Sequence, residues 1–551
     1  MEKKFQHIAD LSEICFQEGI KYIVISPGSR NAPLINAFYD KFRDSCFSIV
    51  DERSASYFGM GLARYSGQTV VLICTSGTAV LNYSPAIAEA YYSGVSMLVI
   101  TADRPAEWID QQDNQTIRQQ NVYANFIKGS FHLPENINDL KAVHKTIREA
   151  IKLSRSGLAG PVHINVPVDE PLYFDIPPAS NLGKPSAAAR VKSLEMPADL
   201  ISAWKKAKGI LIVHGQDHPL SGVSYVLQML SVRKNVVVVA ENISNVRRGN
   251  VINSDDLLLR HSGHLLKTDP DLLIYSGGQV VSRWMKKYLR DLKNVETWRF
   301  GPEDYEMDTF RQNNRIISHH AKEVYEYLYS IPSPEITEET FRKSWLEALD
   351  FTNEKISQML GSMPFSEVTS MKTILEMVPE GSVLELGNST PVRIFQFFSY
   401  PRDVEVFSNR GVSGIDGCMS AAVGTATASK KLTILLIGDL SFVYDSNALW
   451  NRRLPSNLRI IIFNNSGGGI FNLLEGPSEK PAFQDFFIAS HPVDIQKLAE
   501  AFNLHYFCCR SEDELIKTLP GFFEQSEKAG VLEIKTHQEN NKIAYLKMMN
   551  K

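Results

Sequence analysis

Short runs of Val, Ile and Leu, each stopping abruptly at a polar residue or glycine, recur along the chain and leave few folds open. "KYIVISPG", "CFSIVDE", "TVVLICTSG", "VSMLVITAD" and "PVHINVPV" fall within the first 180 residues. Between them, "NAPLINAFYDKF" and "AVLNYSPAIAEAYYSG" space their apolar residues as a helix does. Strands that alternate with helices predict a parallel sheet covered on its faces. The rhythm is weaker in "GILIVHG", "NVVVVAE" and "DLLIYSGG", then clear again in "SVLELGNS", "VEVFSNRG", "LTILLIGD", "RIIIFNN" and "VLEIKT". A Pro-rich stretch, "EPLYFDIPPASNLGKPS", and a second break, "SIPSPEITEE", separate the three regions. We therefore expect three α/β units, over 1–180, 190–335 and 355–551, in keeping with a chain of 551 residues. In open α/β sheets the ligand lies beyond the carboxyl ends of the strands, so residues just after the apolar runs are the ones to inspect.

Two of those ends are unusual. "LTILLIGD" stops at Gly438-Asp439, "RIIIFNN" stops at Asn464-Asn465, and 24 residues separate Asp439 from Asn464. Either dipeptide alone commonly ends a strand in a turn. Together they could serve magnesium, which takes about six oxygen ligands and usually shares them with substrate phosphates. One carboxylate and one neutral amide leave room for phosphate oxygens, whereas a second carboxylate would repel them. Gly467, Gly468 and Gly469 let the backbone come close, and a helix starting at Asp439 would turn its N-terminal amides toward a diphosphate.

Bulk properties exclude more than they identify. With 44% hydrophobic and 22% charged residues the chain is ordinary for a globular protein. Its 58 basic and 62 acidic residues leave a charge of −4, which gives no support for nucleic-acid or membrane-surface binding. Six cysteines without a CxxC, a start lacking a signal-like apolar core, and no run of membrane-spanning length predict a soluble cytoplasmic protein. GxGxxG, the P-loop pattern and the GxSxG elbow are missing, which argues against dinucleotide, P-loop and serine-hydrolase readings. "HSGH" and "SHH" lack zinc-ligand spacing.

The GD…NN arrangement is similar to the signature of thiamine diphosphate (ThDP) enzymes. The resemblance narrows with "ISPGSRNAPL", "TSGTAVLNYSPAIAEA", "TADRPAE", "DNQTIRQ", "GNSTPVR" and "SNRGVSGIDG". Together these resemble the MenD-type 2-succinyl-5-enolpyruvyl-6-hydroxy-3-cyclohexene-1-carboxylate (SEPHCHC) synthases of menaquinone biosynthesis. The resemblance implies three Rossmann-like parallel-sheet domains, pyrimidine-binding, central and diphosphate-binding. It also implies a transferase that decarboxylates 2-oxoglutarate and adds the remaining four-carbon unit to isochorismate, with ThDP and Mg2+ (or Mn2+) as cofactors. The site would lie between subunits of a homodimer or homotetramer. The main alternative is another ThDP-dependent 2-oxo acid decarboxylase or carboligase, acetolactate-synthase-like, which has no use for so many arginines.

Site residues follow by motif. Asp439, Asn465 and the carbonyl of Gly467 would bind the metal, with Gly438, Leu440 and Ser441 beside the diphosphate; Leu440 stands where many members have glycine. Glu52, at a strand end before a helix, would be the carboxyl that promotes the imino tautomer of the cofactor's pyrimidine, and Ile415 would prop ThDP in its bent shape. Ser29, Arg30, Arg104, Asn114, Gln115, Ser389, Arg393 and Arg410 would contact substrate, the arginines suiting dicarboxylates. Ile470 and Phe471 would wall the reacting carbon. In the middle unit the family often has a basic pair, where this chain has Ser282-Arg283, so only Arg283 matches.

Overall fold

Parallel strands buried on both faces must be apolar almost throughout, and the predicted runs meet that demand. The structure is a computed structural model that describes residues 5–135, 139–173, 175–183, 194–301, 307–332, 339–400, 403–473 and 476–549. The two breaks expected at 170–186 and 330–339 fall partly outside these residues. Three six-stranded sheets form, and every strand pairing in them is parallel.

The first sheet contains β1 (Ile23–Ile25), β2 (Cys46–Ser48), β3 (Val70–Cys74), β4 (Met97–Asp103), β5 (Ser130–His132) and β6 (Pro161–Pro167), in the order β2-β1-β3-β4-β6-β5. The second contains β7 (Ile210–His214), β8 (Val236–Ala240), β9 (Val251–Ile252), β10 (Leu272–Ser276), β11 (Glu296–Phe300) and β12 (Arg315–Ile317), in the order β12-β11-β10-β7-β8-β9. The third contains β13 (Val383–Leu386), β14 (Glu405–Ser408), β15 (Thr433–Gly438), β16 (Leu458–Asn464), β17 (His505–Cys509) and β18 (Gly530–Lys535), in the order β14-β13-β15-β16-β18-β17. The first and third sheets therefore share one strand order. The second has the doubly wound order of dinucleotide-binding folds.

By contact the chain divides into two compact units. One comprises residues 1–190, 409–430 and 443–456; the other comprises 191–408, 431–442 and 457–551. In the first, the helix Glu52–Ser66 is started by the Asp51 side chain, which accepts the Ser54 N–H at 3.0 Å, and stopped by Gly67 in the left-handed region. It packs on the helix Cys418–Ser429 at very close range. A Cβ on Gly61 would lie 2.0 Å from the Ala421 carbonyl oxygen, and one on Gly424 would lie 2.1 Å from that of Phe58. Ser54 and Ser420 meet between the helices at 2.7 Å, and buried Asp445 accepts both the N–H and the hydroxyl of Ser420, at 2.6 and 2.7 Å.

In the second unit the middle and third sheets share apolar contacts: Ile243 and Leu257 belong to the same buried cluster as Phe395 and Leu384. Asn242 reinforces this junction by donating from its side chain to the carbonyls of Phe395 and Phe398, each at 2.9 Å. The helix that bears Arg393 is thus fixed against the middle sheet.

The reciprocal glycines give a direct test. Gly424→Ala forces a methyl into the Phe58 carbonyl and should cost about 1–3 kcal/mol, read as a lowered midpoint of thermal unfolding.

Candidate active site

The metal candidates lie where two neighbouring strands end. Asp439 follows β15 and is buried; its Oδ2 accepts the Gly467 N–H at 2.8 Å and its Oδ1 accepts the Leu440 N–H at 2.8 Å. His491 Nε2 lies 3.4 Å from Oδ2, and this carboxylate holds His491 above its ordinary value. Asn465 follows β16. Its Nδ2 donates to Glu367 Oε1 at 2.6 Å, because a carboxylate oxygen can pair only with the amide's donor end. The Asn465 Oδ1 is left buried without a hydrogen-bond partner among the described residues. A buried acceptor in that state is unfavourable unless something else fills its lone pairs.

The glycines beyond Asn465 are spatially required. A Cβ on Gly467 or Gly468 would lie 2.5 or 2.4 Å from the carbonyl oxygens of Ile488 and Phe487, and Gly467 has φ +149°. Gly438 differs: a Cβ there meets nothing within 4 Å, so open space adjoins Asp439. No group of three or more His, Cys, Asp or Glu with metal-site geometry occurs among the described residues. The donor set expected from the sequence is instead one carboxylate, one amide oxygen and a backbone carbonyl. That set fits a hard cation which must also carry phosphate oxygens, and the orphaned Asn465 Oδ1 would give it a ligand. Buried Glu367, pushed up to about 7 by burial, was not foreseen from the sequence.

A cavity of about 640 Å³ opens beside this loop in the same unit. Ile470 and Leu473 form part of its lining, with Arg393 from the helix Thr390–Phe395, Arg260 from the helix Asp255–Ser262, and Arg283 and Trp284 from the helix Arg283–Asp291. A small recess reaching Glu367 and Asn465 shares Leu473 and Tyr545 with it. Ser389, at φ +78°, starts the helix Thr390–Phe395, and its carbonyl accepts from Arg393 Nη1 at 2.5 Å. Phe471 lies on the same turn as Ile470 and meets the Phe487 ring edge-on at 5.4 Å. Leu440 and Ser441 begin the short helix after Asp439.

The first unit gathers the remaining candidates at strand ends. Glu52 opens the helix after β2, half-buried, and burial raises its carboxyl above the ordinary range. Arg30, after β1, is buried and donates to the Val168 carbonyl at 2.9 Å. Burial and then the positive charge of Arg104 lower Arg30 from its usual value. Arg104, after β4, is 3.0 Å from Asp113 and donates to the Asn114 carbonyl at 3.0 Å. Asn114 and Gln115 are exposed on that loop, with Gln115 at φ +54°, and Ser29 is exposed beside Arg30. Buried Gln119 pins the loop by accepting the Gly77 N–H at 3.0 Å and donating to the Ala102 carbonyl at 3.0 Å. The Thr75 and Ser76 hydroxyls, at the end of β3, are buried and unpartnered; the "TSG" quoted above was their signal. Arg410 and Ile415 also belong to this unit, flanking a turn whose N–H groups at Gly411, Val412 and Ser413 all point to buried Glu89, at 2.5, 2.6 and 3.1 Å.

Comparison with known proteins agrees with both halves. The family described as "Thiamine pyrophosphate enzyme, N-terminal TPP binding domain" matches residues 8–122, and "Thiamine pyrophosphate enzyme, C-terminal TPP binding domain" matches 387–534. Over 530 residues the chain is 41% identical to the 2-succinyl-5-enolpyruvyl-6-hydroxy-3-cyclohexene-1-carboxylate synthase of Desulfotalea psychrophila, covering 94% of this chain and 95% of that protein. The chain belongs to the SEPHCHC synthase family. Synthases of the same name from Flavobacterium johnsoniae and Flavobacterium psychrophilum are 37% and 39% identical, with 96% or more of every chain covered. It is thus a ThDP-dependent enzyme that forms carbon–carbon bonds, and no described helix is long and apolar enough to cross a membrane.

Glu367 supplies a test of the metal site. It orients the Asn465 amide, so Glu367→Ala should weaken divalent-cation affinity about 10- to 100-fold, measured by Mg2+ titration with ThDP present and protein fluorescence as readout.

Proposed function

We propose that this chain is a SEPHCHC synthase in the full sense of its relatives' name. It decarboxylates 2-oxoglutarate and adds the four-carbon remainder to isochorismate by 1,4-addition, releasing CO2 and SEPHCHC for menaquinone biosynthesis. The observation that carries the reading is the buried Asn465 Oδ1, which has no hydrogen-bond partner among the described residues and adjoins a recess sharing Leu473 and Tyr545 with an arginine-lined cavity.

Asp439, Asn465 Oδ1 and the Gly467 carbonyl would hold Mg2+ (or Mn2+), and through it the diphosphate of ThDP. When bound, the cofactor supplies the nucleophilic carbon that lets a 2-oxo acid lose CO2. Glu52, with its proton affinity raised by burial, is suited to share a proton with the pyrimidine ring nitrogen. Ile415 would hold the bend of the cofactor, and Gly438 leaves room for the diphosphate. Arg30, Arg104, Arg393 and Arg410, with Ser29, Asn114, Gln115 and Ser389, would fix carboxylates and hydroxyls of the substrates. Ile470 and Phe471 would keep water from the reacting carbon. The enzyme works as a cytoplasmic homo-oligomer, dimer or tetramer, with the site at a subunit interface. An acetolactate-synthase-like reaction is not favoured, because near-full-length relatives carry the SEPHCHC synthase name.

Isochorismate consumption with 2-oxoglutarate should stop when either ThDP or the divalent metal is omitted, and consumption that ignores ThDP would overturn the reading. Glu52→Gln should lose about 100-fold or more of turnover while still binding ThDP; near-normal turnover would remove Glu52 from its role. Arg393→Ala should raise the 2-oxoglutarate concentration needed for half-maximal rate about tenfold or more, with unchanged kinetics excluding it from the site.

A further inference from the structure

The cavity beside the metal loop has more positive charge on its middle-sheet wall than Arg283 alone provides. Arg260, from the helix Asp255–Ser262, lines the same cavity as Arg283 and Arg393. Its guanidinium stacks over the Trp284 ring at 5.0 Å. Its Nε is buried and has no hydrogen-bond partner among the described residues. Among the described residues the one acidic side chain on the lining is Asp256, whose Oδ1 accepts the Ser282 hydroxyl at 2.5 Å and the Trp284 N–H at 3.4 Å. Ser282 in turn caps the helix Arg283–Asp291 by accepting the Met285 N–H at 2.9 Å. Buried Glu241 accepts the N–H groups of Val281 and Ser282, each at 2.6 Å, and fixes the turn before that cap. Ser282 therefore holds the helix in place, and the second cation on this wall comes from Arg260.

We infer that Arg260 binds a carboxylate of the acceptor substrate, pairing with Arg283 to make a dicarboxylate clamp in the cavity that Arg393 also lines. The inference rests on the proposed function and deepens it. The two substrates place different demands on the cavity. 2-Oxoglutarate gives up one carboxylate as CO2, so a single guanidinium near the metal loop suffices for the one that remains, and Arg393 is so placed. Isochorismate keeps both carboxylates throughout the reaction and needs two cations. A guanidinium anchored over Trp284 by cation–π attraction keeps N–H donors to offer such a group. Tyr545, on the same lining, senses all the charges named: burial and Asp256 raise it, while Arg393, Arg283 and Arg260 pull it the other way.

The test uses the holoenzyme with ThDP and Mg2+ and compares wild type with Arg260→Met and Arg260→Lys. Arg260→Met should raise the KM for isochorismate about 10- to 100-fold. It should leave the KM for 2-oxoglutarate, and the 2-oxoglutarate-dependent reduction of ferricyanide without isochorismate, within about twofold of wild type. Arg260→Lys, which keeps the charge, should recover part of the loss. A purely structural role for the stack on Trp284 would lower the unfolding midpoint and leave the KM for isochorismate unmoved, which would overturn the inference. A raised KM for 2-oxoglutarate with slowed ferricyanide reduction would overturn it too, by giving Arg260 to the donor. Wild-type enzyme that fails to consume isochorismate would overturn both this inference and the proposed function, whereas normal wild-type turnover with an unaffected Arg260→Met enzyme would overturn this inference alone.

Discussion

A parallel sheet delivers the last residue of every strand to the same edge, and the chemistry of this chain depends on that constraint. Asp439 and Asn465 follow adjacent strands in register, Gly438 opposite Phe463, so residues 26 positions apart in sequence share one edge. The hydrogen bond from the Gly467 N–H to Asp439 then ties the loop after one strand to the end of the other. In the first sheet, Arg30, Glu52, Thr75 and Arg104 follow four strands that lie side by side. Neither set needs long-range sequence signals to come together, because strand order does the gathering.

The same constraint explains what could be read from the sequence. Central strands are buried on both faces, so their apolar runs were visible, and the polar residues that end them stood out. The missed strands are β5, β9, β12 and β17, which are edge strands, and β11, which abuts an edge; they carry residues such as His132, Arg299, Arg315 and His505. With one side open to water, little forces such a strand to be apolar. Glu367 was missed for another reason. It sits at the start of an ordinary amphipathic helix and becomes significant only through the Asn465 amide, 98 residues later.

Arg260 shows how far motif reading extends. The sequence comparison at Ser282-Arg283 marked a missing cation in the adjacent position, which is a statement about one segment. A cavity wall draws on several segments, and here the helix before that segment contributes the guanidinium while Ser282 takes up helix capping. The division into units has a similar lesson. The segment 409–430 follows a strand of the third sheet, yet its tightest packing is helix against helix with Glu52–Ser66, through Gly61 and Gly424.

The common strand order of the first and third sheets carries a consequence for how the protein divides its labour. If one sheet is laid on the other by order, the end of β1 at Ser29-Arg30 corresponds to the end of β13 at Ser389, and the end of β2 near Glu52 corresponds to the end of β14 near Arg410. Likewise Thr75-Ser76 matches Asp439, and Arg104 matches Asn465. A single scaffold is used twice with its terminal residues exchanged, an acid for a base and hydroxyls for a carboxylate. Two copies of the same architecture can then serve different chemical groups, with nearly all the difference confined to the few residues after each strand.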